Sequence, residues 1–110
     1  MGGRALSDWL PEVVADVVRA FDPLEIVLFG SVARGEETPD SDIDLLVVLA
    51  RVAPHEKANL MGEVRAAIHA PVPVDVFVTD PAEISRRAHL TGSILYPALR
   101  EGVVLYERAA

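Results

Sequence analysis

The chain has 110 residues, 51% of them hydrophobic and 25% charged, with no cysteine and a formal net charge of −7. That length makes one domain with a single core and little room for a second, and the lack of cysteine excludes disulfides, thiolate zinc sites and cysteine nucleophiles. The acidic balance argues against a protein that holds nucleic acid by neutralising its phosphates, so no direct nucleic-acid binding is expected.

The start, Met1 to Leu6, lacks the long apolar region of a signal peptide and misses the myristoylation pattern, which wants Ser or Thr where Leu6 stands. No apolar stretch approaches the ~20 residues that span a bilayer. A soluble, cytoplasmic protein without membrane contact is expected, a single domain over residues 1–110. Ser7 or Asp8 reads as a helix N-cap, with Pro11 in the first turn. Leu10, Val13, Val14, Val17, Val18 and Phe21 recur at helical spacing and predict a helix from Asp8 to Phe21, stopped by Pro23, with Trp9 as core. Glu25 to Phe29 reads as a first strand ended by Gly30, Val32 to Gly35 as one helical turn, and Glu36 to Ser41 as a polar loop with a Pro-Asp turn signal.

Ile43 to Leu49 is a continuous apolar run, the pattern of a central strand buried on both faces. Pro54 to His69 predicts a second helix, with Ala58, Met61, Val64, Arg65 and Ile68 near one face and Leu60 flanking it. Val74 to Val78 is a third strand. Asp80 caps a short helix from Pro81 to Arg87, and His89 to Glu101 is helical in pattern, with Pro97 kinking it or starting a second piece. Gly102 stands where a C-terminal glycine belongs, and Val103 to Tyr106 is a last strand. Strands interleaved with helices give an α/β (α+β) class, a sheet with helices packed on it.

Asp42 and Asp44 open the second strand two residues apart, a spacing that puts both on one side. Two carboxylates at the edge of a core repel unless something positive lies between them, and Mg²⁺, a hard cation that keeps waters and substrate phosphate, fits best. Asp75 interrupts the apolar run V-D-V-F-V, where a charge is costly unless paired or metal-bound. If the third strand lies beside the second, Asp75 joins the pair, and three carboxylates can hold one or two ions for a phosphoryl transfer. Upstream, Gly30 lets backbone approach a ligand closely, the helical turn after it offers free N–H groups, and the Ser31 hydroxyl and Arg34 guanidinium can add contacts to phosphate.

Each signal alone is weak: an Asp-x-Asp is often a solvated turn. Their order, strand, Gly-Ser, loop, Asp-x-Asp, strand, followed by a third strand carrying Asp75, is what points to a site. Gly30 to Gly35 has P-loop spacing, but Glu36 stands where the lysine is required. Asp40, Asp42 and Asp44 echo a calcium loop, but Leu45 replaces its glycine and Arg51 its last acid. His55, His69 and His89 read as surface or structural residues, and Arg86-Arg87 as a solvated pair.

The stretch G-S-V-A-R-G-E-E-T-P-D-S-D-I-D-L-L-V-V, with ten residues from Val32 to Ser41 between Gly-Ser and Asp-x-Asp, resembles the signature of the nucleotidyltransferase superfamily that includes DNA polymerase beta. The length, the Ala33-Arg34-Gly35 run and the ending S-I-L-Y-P-A-L-R-E-G-V-V-L-Y-E resemble its minimal nucleotidyltransferases. The resemblance implies a nucleotidyltransferase fold, a mixed β-sheet flanked by helices, and transfer of a nucleoside monophosphate from a nucleoside triphosphate, ATP foremost, to a hydroxyl. It implies Mg²⁺ on Asp42 and Asp44, with Asp75 completing the metal site and helping to deprotonate the acceptor. Gly30 and Ser31 match the positions that hold the triphosphate. Arg34 follows the family's Ala-Arg-Gly, with a phosphate or a structural role. Such minimal proteins resemble the antitoxin half of toxin–antitoxin modules, which implies a HEPN-type toxin as partner in a hetero-oligomer and adenylylation of a toxin tyrosine. Two alternatives stand beside this: a non-catalytic antitoxin that neutralises by binding, and a nucleotidyltransferase with a small-molecule acceptor.

Overall fold

Four apolar runs form one sheet, and its strand order decides where the polar residues meet. In the computed structural model, which describes residues 5–87 and 95–109, β1 (Glu25–Phe29), β2 (Ile43–Val48), β3 (Val74–Thr79) and β4 (Val103–Glu107) lie in the order β3-β2-β1-β4. β1 is antiparallel to β2 and β4, and β2 is parallel to β3. The most continuous apolar run, β2, is an inner strand, as expected of residues that must bury both faces. The mixed sheet flanked by helices matches the expected fold class.

Among the described residues five α-helices flank it: α1 (Leu10–Phe21), α2 (Gly30–Ala33), α3 (Lys57–Ala67), α4 (Pro81–Arg87) and α5 (Leu95–Glu101). Alternation along the strands splits the core in two. Ile26, Leu28, Ile43, Leu45, Val47, Val74, Val76 and Val78 pack with Val13 and Val17 of α1, Val64 of α3 and Ile68. The opposite face is smaller: Val27, Phe29 and Leu46 pack with Leu95 and Ala98 of α5, and Phe77 and Ile84 lie against them. Asp44 and Asp75 have the parity of Leu46 and Phe77, so they belong to this second face.

Several local expectations need correction. Neither Ser7 nor Asp8 caps α1: a 3₁₀ turn, Leu6–Trp9, comes first, Asp8 accepts the Ala5 N–H at 3.1 Å within it, and Trp9 is the N-cap residue. Asp22, in the left-handed conformation at φ 47°, ends α1 by donating its N–H to the Val18 carbonyl, before Pro23 is reached. The second helix begins with a 3₁₀ turn, Pro54–Glu56. Leu60, Met61, Val64 and Ile68 meet the core while Ala58 and Arg65 are exposed. Asp80 does cap α4, accepting the Glu83 N–H at 2.8 Å, and its other oxygen accepts the Val52 N–H at 2.7 Å. The helix expected from His89 is seen as α5 from Leu95, with Pro97 inside it, while His89 itself lies outside the described residues. Gly102 is required by crowding rather than by backbone handedness: a Cβ there would lie 2.1 Å from the Ala98 carbonyl and 2.4 Å from Val27 Cγ1.

Candidate active site

The parallel register of β2 and β3 pairs Asp44 with Asp75 directly. Partners in neighbouring strands sit about 4.8 Å apart with side chains on one face, so the juxtaposition that depended on strand order is present. Asp42 precedes β2 rather than lying in it, which corrects the reading of both acids as strand residues. The end of the loop carries Asp42, and its charge still acts on Asp44. The argument for Asp75 from burial also fails. β3 is an edge strand, and Asp75 is exposed. What recommends Asp75 is its register with Asp44.

Asp42 and Asp44 are half-buried. Burial pushes the Asp44 carboxyl above the usual carboxylate range, and the charges of Asp75 and then Asp42 push it the same way, against a weaker pull from Arg34. Among the described residues, the side chains of Asp42, Asp44 and Asp75 make no hydrogen bond or ion pair. Nor do any three Asp, Glu, His or Cys side chains among them form a ready-made metal cage. The donors are nonetheless all hard carboxylate oxygens, gathered with little positive charge to offset them. That donor set fits a divalent cation such as Mg²⁺, around which the side chains would turn.

Gly30 sits opposite this pair. Phe29 is extended, and the chain turns at Gly30, φ 80°, straight into the four residues of α2. A Cβ on Gly30 would stand 2.2 Å from Asp44 Oδ2. The expected close approach at this glycine is therefore made by the protein's own carboxylate, which packs against the glycine Cα. Ser31 follows, half-buried, and its hydroxyl donates to Ser41 Oγ at 3.1 Å. Arg34 is exposed and its Nε donates to Glu36 Oε1 at 2.9 Å. That bond first, then the charges of Glu101 and Asp44, hold its proton more firmly than usual. All six candidate residues thus gather where β1 ends and β2 begins.

Two features of the site were not read from the sequence. Phe29, the register partner of Asp44, and Phe77, two residues beyond Asp75, bring their rings to 5.7 Å at a 50° tilt. They form an apolar floor beside Asp44, and their only advance signal was strand propensity. Ser41 links to Ser31 across ten positions, a contact that no short pattern encodes. Residues set aside stay aside. His55 and His69 are exposed, Trp9 packs against the core, and Arg86 and Arg87 line a cleft of about 370 Å³ at the far ends of β2 and β3. No helix among the described residues is long and apolar enough to cross a membrane.

Comparison with known proteins follows the same geometry. Residues 10–96 match the family model of the nucleotidyltransferase domain. No curated protein shows a significant match. A crystal structure from Sulfolobus solfataricus, provisionally assigned as a nucleotidyltransferase, is 26% identical with a TM-score of 0.63, over 98% of this chain and 91% of that one. A toxin–antitoxin structure with AMP-PNP is 24% identical with a TM-score of 0.54, over 87% of this chain and 72% of that one. A mutant of the toxin–antitoxin pair MntA–HpeT is 20% identical with a TM-score of 0.51, over 86% and 71%. At those lower identities the last two establish likeness of fold.

Proposed function

Since this chain belongs to the nucleotidyltransferase domain family, we propose that it is an Mg²⁺-dependent protein adenylyltransferase that moves AMP from ATP onto the hydroxyl of a tyrosine of a HEPN-type toxin, the bond between the α- and β-phosphates breaking and pyrophosphate leaving, and so acts as an antitoxin. The observation that carries the reading is the in-register pair Asp44–Asp75, with Asp42 beside it and the Gly30-Ser31 turn against it. The two toxin–antitoxin structures of the same fold, one holding an ATP analogue, support the choice of nucleotide and partner.

Asp42, Asp44 and Asp75 would hold the divalent cation, which when bound supplies charge neutralisation to the triphosphate and to the attacking oxygen. The chain's own contributions follow from placement. Gly30, lacking a side chain, lets the Asp44 carboxylate lie against the turn, and the Ser31 hydroxyl beside it can contact a phosphate. Arg34 is exposed at the same edge and can swing from Glu36 to a phosphate oxygen. Phe29 and Phe77 form an apolar floor beside Asp44. Asp75, the exposed member, faces an incoming acceptor and can take the proton of its hydroxyl. A domain this small has the nucleotide half of the reaction and little to select an acceptor, so a partner protein brings the hydroxyl with it.

The test is transfer of label from ATP, with Mg²⁺, to the toxin encoded beside this protein. Label on the toxin that disappears with Asp44→Asn is the expected result. A complex that forms without any label transfer sinks the enzymatic reading. Full neutralisation by the Asp42→Asn/Asp44→Asn double variant would instead favour an antitoxin that works by binding, and label on a small molecule would redirect the acceptor.

A further inference from the structure

The loop from Glu36 to Ser41 is polar and lies outside regular structure, yet it is tied down in two places: the Glu37 carboxylate accepts the Leu6 N–H at 2.7 Å near its start, and Ser41 Oγ gathers its end. Ser41 Oγ accepts the Thr38 N–H at 2.8 Å and the Ser31 hydroxyl at 3.1 Å, and stands 3.3 Å from Thr38 Oγ1. A hydroxyl has one hydrogen and two acceptor sites. With both acceptor sites filled, the Ser41 hydrogen goes to Thr38 Oγ1, which also accepts the Asp40 N–H at 3.3 Å. The direction of the chain is therefore fixed, from Ser31 to Ser41 to Thr38. The Ser41 N–H closes the same turn by donating to the Thr38 carbonyl at 3.0 Å. Ser41 is also the residue immediately before Asp42. One side chain thus joins the Gly-Ser turn to the segment that carries the first carboxylate.

We propose that Ser41 is a positioning residue of the nucleotide site. It fixes the rotamer of Ser31 and the approach of Asp42 together, so that the phosphate-facing turn and the carboxylates keep one spacing. This rests on the functional reading above. Without the Ser41 hydroxyl, Ser31 is free to rotate, the Thr38 N–H loses its acceptor, and the end of the loop that leads into Asp42 loses its side-chain tie while Glu37 still anchors the start. The cost falls on nucleotide binding, because neither group lies in the core and the fold does not depend on them.

The experiment compares wild type, Ser41→Ala and Ser41→Thr, the last retaining the hydroxyl. Amide hydrogen exchange of Thr38 is measured without ligand, and the Kd for ATP with Mg²⁺ by calorimetry. Ser41→Ala should expose the Thr38 amide to faster exchange and raise Kd about two- to tenfold, the effect of one hydrogen bond. Its Tm should stay within about 2 °C of wild type, and Ser41→Thr should restore both readouts. Unchanged exchange at Thr38 overturns the strut. A Kd that stays the same also overturns the proposal, and so does one that falls, since Ser41 would then compete with phosphate for the Ser31 hydrogen. Failure of the wild type to bind ATP is the failure of the functional reading, and the ligand-free exchange distinguishes it from failure of the strut.

Discussion

Replacing Gly30 by Ala bears directly on the packing of the site. At φ 80° an alanine carries the left-handed penalty, about 1–2 kcal/mol. Its Cβ would also lie 2.2 Å from Asp44 Oδ2 and 3.1 Å from Asp44 Cγ. The carboxylate must then retreat by roughly 1 Å, a displacement that in a catalytic group can cost on the order of 100-fold in rate. Asp44 is half-buried and can retreat only by straining its rotamer, at about 0.5–1.5 kcal/mol. The expected loss is about 2–3 kcal/mol, or on the order of 10–20 °C in Tm for a domain of this size. The assay is a double-mutant cycle by urea unfolding of wild type, Gly30→Ala, Asp44→Ala and the double variant. With the carboxylate gone, Gly30→Ala should cost only its backbone strain, leaving a coupling of about 1 kcal/mol. Equal costs in the two backgrounds would refute the reasoning, for the glycine would then serve its own backbone and not Asp44.

Asp44→Asn should abolish nucleotide transfer yet raise Tm at neutral pH without divalent ions. The folded carboxyl is held above its unfolded value by burial and by its neighbours, so this group's penalty is absent below the unfolded pKa, grows as pH rises towards the folded pKa, and is complete above it. A lower Tm for Asp44→Asn would contradict that sign. Mg²⁺ should raise the Tm of the wild type in proportion to the logarithm of its concentration above Kd, and should do little for Asp44→Asn, as followed by thermal melts. Asp80→Ala should cost about 2 kcal/mol, because two backbone N–H groups lose a charged acceptor. Those bonds, Glu83 first and then Val52, depress the folded pKa of Asp80, so its contribution is present above the unfolded pKa and is lost as pH falls through the folded one. The difference between wild type and Asp80→Ala should therefore shrink in acid. Gly102→Ala should destabilise by about 1–3 kcal/mol, since its clash is with the Ala98 carbonyl and the Val27 side chain, which chemical denaturation would register.

What could be read from the sequence, and what could not, follows from the range of the interactions. β1, β2 and β3 were legible because their apolar runs have no other way to be buried, and Asp80 because a cap acts within one turn of its own helix. Asp75 was picked for a burial that it does not have and, if β3 lay beside β2, for a place next to Asp44 that it does have; that adjacency depends on a pairing which a carboxylate in a strand cannot announce. Gly30 drew notice for the right property, a missing side chain, but the atom filling the space belongs to Asp44, fourteen positions on. Ser7 and Asp8 looked like caps since 3₁₀ and α turns use the same polar residues, and only the geometry separates them. On α3 the expected stripe holds at Leu60, Met61, Val64 and Ile68, while Ala58 and Arg65 are exposed.

The parallel pairing of β2 with β3 also has a kinetic side. Asp44 and Asp75 are brought together only when β3 closes beside β2, with α3 spanning the interval. Long-range closure of this kind is intrinsically slow, as its loop entropy is lost before its contacts form. Here the same event crowds two negative charges, so the topology and the electrostatics oppose the chain at one moment. A dissolved divalent cation that screens the meeting carboxylates would speed this closure. On the proposed function, the ion that would serve the finished site would then also hasten its assembly.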